Sequence, residues 1–428
     1  MRIAIIGSGG REHAICQKIS ESKKISKIFC IPGNGGTTQI AENVVIDLKN
    51  FEKIKSFLID NNVDITVIGP EEPLVNGIVD YLNKFNLKVF GPDKFCSKLE
   101  GSKIFTKKIC ENENIPTANF KILDSISSSI NYLKNKKYPL VVKSDGLAAG
   151  KGVYICEDFT TACDAVNEIF SGKFGKAREI LIEDFLKGEE MSYFILCDNR
   201  NFKTFNTAQD HKRVFNGDKG KNTGGMGAYC PSRQINEDLE KKIINKIIIP
   251  TLNYLKKNNG KYIGFLYVGL MIQNNEPYLI EYNVRMGDPE CQTILPLLSN
   301  DFIDVLESCM NQKLEEITLR WKDKKSICIV LCSKGYPDDY ERNILIENLE
   351  KFKNDENQFI FHAGTKFQKS KFFSSGGRVL NFVSIDKDFK RARKKILDSI
   401  KKLNWQHGHF RDDIGYKVIE NENNFRNS

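Results

Sequence analysis

A carboxylate and an amide two residues apart, near the end of an apolar segment, are the residues best suited to chemistry. The segment is KYIGFLYVGLMIQNNEPYLIEYNVRMGDPE, residues 261–290. Alternating apolar residues on both sides of Asn274-Asn275 predict a two-stranded hairpin. Positions i and i+2 of a strand face the same side, so Glu281 and Asn283 would converge on one point. Their hard oxygen atoms suit Mg²⁺, although a hairpin with a polar tip explains the spacing equally well.

A glycine-rich loop with flanking lysines is the second candidate. In YPLVVKSDGLAAGKGV a strand is predicted to end at Lys143, and Gly146, Gly150 and Gly152 surround Lys151. Glycine lets a backbone approach a polyphosphate closely and lysine supplies positive charge, so this loop is typical of a lid over nucleotide phosphates. It is not a Walker P-loop, because no GK[ST] precedes a helix.

The N-terminal turn GSGGREH, residues 7–13, follows a short apolar run and precedes a helical segment. Backbone amides and the helix dipole at such a turn favour an anion. The dinucleotide-binding fingerprint is incomplete, because Glu12 stands in place of its third glycine and the next strand ends in PGNG rather than in an acid. We therefore expect a phosphate-bearing ligand rather than NAD. Glu71, in the loop GPEEPL, is either a site residue or a helix-capping carboxylate.

Three further polar segments could contact ligands. The linker ILIEDFLKGEEMS, residues 180–192, could offer a backbone edge to an adenine and carboxylates to ribose hydroxyls, although this signal is weak alone. Residues 206–229 are glycine-rich and too long for a structural loop, which favours a functional flap. Its His211 is more typical of a loop histidine than of a catalyst. Gly376-Gly377-Arg378 could hold a phosphate, with the arginine as a bidentate clamp.

The first candidate loops along the chain require a supporting fold, and the sequence predicts an open parallel sheet for the N-terminal part of the chain. Its prediction rests on short apolar runs that alternate with helical segments around 51–59 and 75–85. The runs are residues 3–6, 27–31, 44–46, 65–68 and 87–90. Ligands bind such sheets at the carboxyl ends of the strands, which is where the glycine turns fall.

Composition sets limits on the class of protein. The length of 428 residues exceeds what one core usually supports, so several domains are expected. The net charge of +9 comes from scattered lysines without arginine-aromatic interleaving, which disfavours nucleic acid and suits phosphorylated small substrates. Twelve cysteines without a CxxC pair favour buried reduced thiols. Since neither a signal peptide nor a membrane-length apolar segment is evident, we expect a cytoplasmic protein that does not bind membranes.

Taken together, the motifs resemble those of the ATP-grasp ligases and, within them, the glycinamide ribonucleotide synthetase family. The resemblance covers about residues 1–417, with the motifs in the family's order. They are GSGGREHA, PGN.G, GPE.PL, LEGSK, KSDGLAAGKGV, QDHKRV, NTGGMGAY, GFLY.GLM, EYNVRMGDPE, HAGT, GGRVL and RDDIGY. Composition and spacing by themselves indicate only an enzyme of ATP and magnesium with a phosphate-ligand domain.

The resemblance implies a fold class of α/β and α+β with several domains. Expected are an N-terminal open parallel-sheet (pre-ATP-grasp) domain, an ATP-grasp core with a glycine-rich lid, and a small C-terminal domain. The implied bounds are 1–102, 103–312 with a lid subdomain at about 118–190, and 325–420. The family's monofunctional bacterial members are generally monomeric, so a monomer is expected.

The resemblance also implies a two-step ligation in de novo purine synthesis. The carboxylate of glycine attacks the γ-phosphate of ATP to give glycyl phosphate, and the amine of 5-phosphoribosylamine then displaces phosphate to give glycinamide ribonucleotide. Phosphoryl transfer needs mainly positioning and charge neutralisation, so no covalent enzyme nucleophile is required.

Residue roles are carried over motif by motif. The ATP-binding residues would be Lys103, Lys143, Gly150, Lys151 and Gly152 around the phosphates, and Glu183, Phe185, Leu186 and Glu190 around the adenine and ribose. Glu281 and Asn283 would hold Mg²⁺ or Mn²⁺. Arg285, with its guanidinium outward, would orient the glycyl carboxylate or acyl phosphate, and Asp288 would face the reacting amine. The residues implied to bind the phosphoribosylamine substrate are Gly10, Arg11, Asn34, Glu71, Asp210 and Arg378.

One departure from the wider superfamily concerns the metal. Many ATP-grasp enzymes carry a third acidic ligand on the strand before the Glu…Asn pair, but residues 268–271 are Val-Gly-Leu-Met, as in the family that the chain resembles. A second ion would need ATP oxygens, water or another side chain. The alternatives are another ATP-grasp purine ribonucleotide ligase, which HAGT and NTGGMGAY oppose, and a catalytically inactive nucleotide-binding regulator, which intact Lys143, Glu281, Asn283 and Arg285 oppose.

Overall fold

A computed structural model describes residues 1–148 and 151–420 of the chain. Its strands form a five-stranded sheet, a four-stranded sheet, a nine-stranded sheet and two two-stranded hairpins. The three larger sheets and the helices packed against them carry most of the buried apolar residues. Residues of all three sheets line the cleft described below.

The N-terminal part alternates short strands and helices, as the sequence predicts. Its elements are β1 Arg2–Gly7, α1 Gly10–Ser20, β2 Lys27–Pro32, β3 Glu42–Asn43, α2 Phe51–Asp60, β4 Ile65–Ile68, α3 Glu71–Asn76, α4 Ile78–Asn83, β5 Val89–Phe90 and α5 Lys94–Gly101. The sheet is entirely parallel, in the order β3-β2-β1-β4-β5. The carboxyl ends of β1, β2 and β4 therefore bring the three glycine-containing loops to one edge.

Two local predictions in this part are wrong. Residues 44–46 are not a strand: β3 ends at Asn43, and the side chain of Val45 is 91% exposed. An edge strand has a neighbour on one side only, so few ladder bonds hold it. The helical segment predicted at 75–85 is interrupted at Gly77, whose φ of +89° ends α3 before α4 begins.

The next part forms a separate four-stranded antiparallel sheet with its own apolar core. Its elements are α6 Lys103–Asn112, β6 Phe120–Leu123, α7 Ile126–Leu133, β7 Leu140–Ser144, β8 Val153–Cys156, α8 Phe159–Phe170 and β9 Ile180–Asp184. The strand order is β6-β9-β7-β8, so β7, which ends just after Lys143, lies beside β9.

A long antiparallel sheet holds the remaining strands. The elements before residue 312 are β10 Glu189–Asp198, β11 Phe202–Asp210, β12 Arg213–Phe215, β13 Lys219–Asn222, β14 Gly227–Cys230, α9 Glu237–Ile243, a π-helical turn at Ile244–Ile248, α10 Ile249–Lys257, β15 Ile263–Gln273, β16 Glu276–Asn283, α11 Glu290–Ile294 and α12 Phe302–Met310. The elements after residue 320 are β17 Lys325–Ser333, β18 Gln358–His362, β19 Thr365–Gln368, β20 Lys371–Ser374, β21 Arg378–Asp386, α13 Phe389–Leu403 and β22 Gly408–His409. Strand β14 pairs with β17, so the C-terminal strands continue the sheet that contains the β15–β16 hairpin.

The segment 206–229 differs from the predicted flap, because it is largely regular structure. It contains the end of β11, the β12–β13 hairpin and β14. Within it His211 is buried, and its Nε2 accepts the Gly415 backbone N–H at 3.2 Å. Burial lowers the pKa of His211 to about 4, so this histidine is neutral and structural, in agreement with its interpretation as a loop histidine.

Two expectations about the chain as a whole can be compared with the structure. The cysteines are free thiols and all except Cys163 are buried, in agreement with the predicted reduced state. Within residues 1–148 and 151–420, no helix combines the length and the apolar character that crossing a membrane requires.

Candidate active site

One cleft with a volume of about 540 Å³ lies where the three large sheets meet. Volumes of this size are typical of sites for small ligands. The predicted residues that line the cleft are Arg11, Glu71, Lys103, Lys143, Gly152, Glu183, Phe185, Leu186, Glu190, Asp210, Glu281, Asn283, Arg285, Asp288 and Arg378. Residues from both ends of the chain therefore share one site.

The β15–β16 hairpin brings its polar end into this cleft. Asn274 and Asn275 both have positive φ angles, 49° and 62°, as a tight hairpin turn requires. The pairing slips by one residue between Gly269 and Leu270, so Ile280 is an extra residue in β16. Because of this bulge, Ile280 and Glu281 both line the cleft. The sequence predicts the hairpin but not the bulge.

Glu281 is an ionised carboxylate facing positive charge. Burial alone would raise its pKa, but the ammonium groups of Lys212 and Lys143 hold the pKa of Glu281 below its ordinary value. The Lys212 Nζ lies 3.9 Å from Glu281 Oε1. In the amide orientation that satisfies both of its polar atoms, Asn283 donates from its side-chain nitrogen to Glu100 Oε1 at 3.1 Å.

Arg285 lies between two carboxylates, which differs from the predicted outward orientation. Its Nη2 donates to Glu100 Oε1 at 2.5 Å, and its Nε lies 3.3 Å from Glu71 Oε2. Glu100 also accepts the Val284 backbone N–H at 2.8 Å. Burial raises the pKa of Glu100 to about 7. The guanidinium faces Glu71 and Glu100 because buried carboxylates need a cationic partner.

Several lysines converge on the part of the cleft where the sequence predicts the nucleotide phosphates. Lys103 donates from Nζ to the Gly146 carbonyl at 2.9 Å. Lys143 Nζ lies 2.9 Å from Glu183 Oε1, and Lys107 Nζ lies 3.4 Å from the same oxygen. Burial lowers the pKa of Lys103 and of Lys107. Glu183, predicted at the adenine and ribose, is therefore also the counter-ion of two buried lysines.

Lys212 is a site residue that the sequence prediction missed. Its Nζ lies 2.8 Å from Glu190 Oε2, so it connects the predicted ribose carboxylate with Glu281. Burial alone would lower the pKa of Lys212, but Glu190 and the other nearby anions raise it well above its usual value. Its position in the motif QDHKRV could have indicated that Lys212 lies in the site.

Another part of the cleft, where the sequence predicts the phosphoribosylamine substrate, joins the two ends of the chain. Arg378, at the start of β21, donates from Nη1 to the carbonyls of Gly224 and Asp288, at 2.6 Å each. Asp288 accepts the Arg11 backbone N–H at 3.3 Å and the Gln292 side-chain amide at 2.7 Å. Burial alone would raise the pKa of Asp288, but Arg378 and Arg11 hold it below its ordinary value.

Four predicted residues are placed differently from the rest. Gly10 and Asn34, both within the described part of the chain, lie outside the lining of the cleft. Lys151 is exposed and also outside the lining, whereas Gly150 falls outside the described residues. The predicted lid loop is therefore described only at its two ends.

Asn34 and Gly10 make close contacts within the protein, and their predicted contacts with substrate stay predictions. Asn34 donates from its side-chain nitrogen to the carbonyls of Ser8 and His362, at 2.9 Å and 2.8 Å, and accepts two backbone N–H groups at Oδ1. A side chain with both polar atoms bonded internally has no capacity left for a ligand. At Gly10, a Cβ atom would lie 2.3 Å from the Asn381 side-chain nitrogen, so close packing explains the glycine.

Two acidic residues, Asp210 and Glu290, also line the cleft near Asp288. Burial and the nearby carboxylate of Glu290 raise the pKa of Asp210 well above its usual value. Asp210 Oδ1 is buried and has no hydrogen-bond partner among the described residues. Glu290 accepts the Ser192 hydroxyl at 2.9 Å, and burial raises its pKa as well. Asp210 thus has an acceptor atom available at the cleft, whereas Glu290 is partly satisfied.

The donor set suits a hard divalent cation that shares its ligands with a nucleotide. Glu281 offers an anionic oxygen and Asn283 an amide on the same strand. No cluster of three or more His, Cys, Asp or Glu residues suited to a metal occurs in the described part of the chain. Magnesium is commonly held by one or two protein carboxylates together with phosphates and water, and the Glu281 side fits that pattern.

The fold and the site define an ATP-grasp enzyme, an ATP-dependent ligase in which a glycine loop and lysines face an acidic strand end. Models of the three domains of phosphoribosylglycinamide synthetase match the chain: the N domain at residues 1–100, the ATP-grasp (A) domain at 101–291 and the C domain at 326–417. The chain belongs to the phosphoribosylglycinamide synthetase family. The resemblance deduced from the motifs, the fold class and the class of enzyme are thereby confirmed.

Full-length relatives agree with this assignment. The chain is 42% identical over 416 residues to a phosphoribosylamine–glycine ligase of Caldanaerobacter subterraneus, covering 97% of this chain and 99% of the relative. It is 41% identical over 427 residues to one of Pseudomonas syringae, covering 99% of each. The crystal structure of the Thermotoga maritima phosphoribosylamine–glycine ligase superposes with a TM-score of 0.84 at 31% identity, covering 97% of this chain and 100% of that one.

The fold also extends beyond the family. The biotin carboxylase domain of the Hydrogenobacter thermophilus 2-oxoglutarate carboxylase, solved with MgADP and bicarbonate, superposes with a TM-score of 0.69 at 15% identity. That superposition covers 94% of this chain and 89% of the other. At this identity the similarity concerns the fold alone.

Proposed function

We propose that the chain ligates glycine to 5-phosphoribosylamine at the expense of ATP, giving glycinamide ribonucleotide, ADP and phosphate. The observation that carries the proposal is the single cleft that joins the predicted nucleotide residues to Asp288 and Arg378. Membership of the family and the names of its full-length relatives support the choice of substrates.

The nucleotide would occupy the side of the cleft that holds the lysines. Lys103 and Lys143 would contact its phosphates, with the glycine loop over them, because buried ammonium groups neutralise the charge that phosphoryl transfer spreads over oxygen atoms. The backbone of Phe185 and Leu186 would border the adenine. Glu190 would bind the ribose, with Lys212 as its counter-ion.

Glu281 and Asn283 would hold the divalent cation, for which we propose Mg²⁺ or Mn²⁺. When bound, the cation would neutralise phosphate charge and orient the γ-phosphate toward the glycine carboxylate. Arg285, fixed by Glu71 and Glu100, would orient that carboxylate from a rigid position. A fixed guanidinium loses little freedom when the substrate binds.

The phosphoribosylamine would occupy the other side of the cleft. Arg378 and Arg11 provide positive charge there, and Asp210 Oδ1, which has no hydrogen-bond partner among the described residues, can accept a hydrogen bond from a hydroxyl or amine. Asp288 would face the amine that attacks glycyl phosphate. That attack forms the amide C–N bond, breaks the acyl C–O bond and releases phosphate.

Three further proposals concern the domain bounds, the oligomeric state and the location of the protein. We propose the domain bounds 1–102, 103–312 and 325–420, a monomer, and a cytoplasmic location. The family-model ranges lie close to these bounds. A role in purine biosynthesis, whose small substrates are soluble, supports the location, and the family's monofunctional bacterial members support the monomer.

A substrate-omission assay tests the proposal. Purified protein is supplied with ATP, Mg²⁺, glycine and 5-phosphoribosylamine, and ADP release is measured as each component is left out in turn. We expect sustained ADP release only with all four present. ADP at background level with the complete mixture would contradict the ligase assignment and favour an inactive nucleotide-binding protein.

A further inference from the structure

The β12–β13 hairpin forms a wall of the cleft but has little structure of its own. Lys212, Asn222, Thr223 and Gly224 line the cleft, and they stand at the base of this hairpin. Strands β12 and β13 form a two-stranded sheet, and every residue of β13 is exposed. An isolated hairpin is only marginally stable in water, so contacts from elsewhere must fix this wall.

The buried side chain of Val214 and the contact of Phe215 with the His409 ring supply some of these contacts. Many of the polar contacts come from residues 411–417, RDDIGYK, which we call the C-terminal clasp. The Arg411 side chain is 0% exposed. Its Nε and Nη2 donate to the two carboxylate oxygens of Asp413, at 2.8 Å and 2.9 Å. Its Nη1 donates to Asp218 Oδ1 at 2.9 Å and to the Arg213 carbonyl at 3.1 Å. A bidentate arginine pair that also holds the hairpin at two points is strong and geometrically specific.

The clasp also bonds the tip of the hairpin directly. Asp413 Oδ2 accepts the Gly217 backbone N–H at 2.8 Å, and Asp412 Oδ1 accepts the Asn216 side-chain amide at 2.5 Å. The Tyr416 hydroxyl donates to Asp218 Oδ2 at 3.0 Å. Consecutive hairpin residues are thus bonded to the clasp, which leaves the hairpin little freedom to move as a lid.

The other end of the hairpin holds a substrate-side arginine. The Gly224 carbonyl accepts Arg378 Nη1 at 2.6 Å, and the Gly224 N–H donates to the Tyr336 hydroxyl at 3.0 Å. Arg378 contacts Asp288 with the same Nη1. A displacement of the hairpin would therefore remove one of the two carbonyl contacts that orient this guanidinium.

We infer that the C-terminal clasp is a positioning element of the active site, in which Arg411 acts through Asp218 and the β12–β13 hairpin to orient Arg378 toward the phosphate-bearing amine substrate. The inference rests on the proposed function for the identity of that substrate. Arg411 is a positioning residue, because it is separated from the cleft by the hairpin.

A comparison of Michaelis constants distinguishes positioning from a general structural role. The variants are Asp218→Asn, which keeps the shape of the side chain, and Arg411→Lys, which keeps its charge. We expect KM for phosphoribosylamine to rise roughly tenfold while KM for ATP and for glycine stay within about twofold of the parent values. Loss of positioning at one side of the cleft raises only the Michaelis constant for phosphoribosylamine, whereas general loosening of the fold raises the Michaelis constants for all three substrates.

Lys221→Met is the matched control. Lys221 lies on the same hairpin, and it pairs with Asp338 at 2.8 Å through side chains that are 69% and 63% exposed. Exposed pairs contribute little, so this variant is expected to keep all three Michaelis constants. Equal rises in the three constants for Asp218→Asn, or no change, would overturn the inference.

Amide hydrogen exchange gives a readout that does not depend on activity. In the full-length Asp218→Asn protein we expect faster exchange at residues 213–222 and at the backbone around Arg378, with the parent rate elsewhere. Parent-like exchange at both places would overturn the inference even if the substrate-omission assay had already failed. If Arg411→Lys does not fold, Asp218→Asn decides the question by both measurements.

Discussion

At the scale of single residues, each cleft lysine or arginine described above has a defined anionic or carbonyl partner. Arg285 has two glutamates, Lys143 has Glu183, and Lys212 has Glu190. The site is therefore pre-organised, and the charge on a ligand would replace or extend contacts that already exist. At Glu281, whose contact with Lys212 is long and partly exposed, removal of the charge should change catalysis more than folding.

Glu281→Gln tests this at the proposed metal ligand. The amide keeps the size of the side chain but removes the anionic oxygen, so turnover should fall about 100-fold while the apparent requirement for Mg²⁺ rises. The free energy of unfolding should change by less than about 1 kcal/mol, because the pairing with Lys212 is long and partly exposed. Initial rates across a Mg²⁺ titration and denaturant unfolding measure the two effects.

Glu276→Gln is the control for this prediction, since Glu276 lies on the same strand β16 and pairs with Lys242 and Lys246 at the surface. It should keep parent turnover at every Mg²⁺ concentration. Near-normal activity of Glu281→Gln at limiting Mg²⁺ would remove Glu281 from the metal site.

The sequence predicted which residues line the cleft better than it predicted how their side chains are oriented. Glu281 and Asn283 lie where period-two spacing places them, but the inward guanidinium of Arg285 depends on Glu100, which is distant in sequence. The family resemblance implied a substrate contact for Asn34, and in this structure its amide joins two loops. Lys107, four residues after Lys103 on α6, was detectable from helical spacing.

At the scale of elements, helix α1 and strand β18 meet through two buried histidines. The His362 backbone N–H donates to His13 Nδ1 at 2.8 Å, and the two rings lie 5.5 Å apart. Burial lowers the pKa of His13 to about 3 and the pKa of His362 well below its ordinary value. Both rings are therefore neutral at the contact between the two ends of the chain.

This contact should make stability depend on pH. In the unfolded chain a histidine takes up a proton near pH 6.5, whereas folded His13 does so only near pH 3, so acid favours the unfolded state throughout this window. Each such histidine should remove about 1.4 kcal/mol of unfolding free energy per pH unit below 6.5. His13→Gln keeps an acceptor for the His362 N–H but does not titrate.

Denaturant unfolding of the parent and His13→Gln between pH 6.5 and 4.5 measures the effect. The variant should lose stability less steeply as the pH falls, by about the slope of one histidine. An identical slope for His13→Gln and the parent would show that His13 is not held neutral by the fold.

Elements with a local signal were the predictable ones. The Asn-Asn turn and the flanking alternation predicted the β15–β16 hairpin, and the alternation of strands and helices predicted the N-terminal parallel sheet. The β12–β13 hairpin was not predicted, because most of its residues are polar and they bond to the C-terminal clasp, which is distant in the sequence. The bulge at Ile280 also leaves no mark in the sequence, since it arises from how two strands pair.

At the scale of the whole molecule, residues from both ends of the chain complete one site. Arg11 follows the first strand, Arg378 begins β21, and both contact Asp288 beside the acidic strand end. Ordered motifs predicted the family, but not that the C-terminal strands extend the central sheet through β14 and β17. Such pairing joins residues about a hundred positions apart, beyond the reach of local patterns.

We propose that the cleft couples ATP cleavage to amide formation through an acyl phosphate of glycine. Isotope transfer tests it most directly: glycine labelled with ¹⁸O in both carboxylate oxygens is turned over with ATP, Mg²⁺ and 5-phosphoribosylamine, and the released phosphate is analysed by mass spectrometry. We expect one ¹⁸O atom in each phosphate, because the bridging oxygen leaves with phosphorus when the amine attacks the carbonyl carbon. Phosphate without ¹⁸O, released together with glycinamide ribonucleotide, would contradict it.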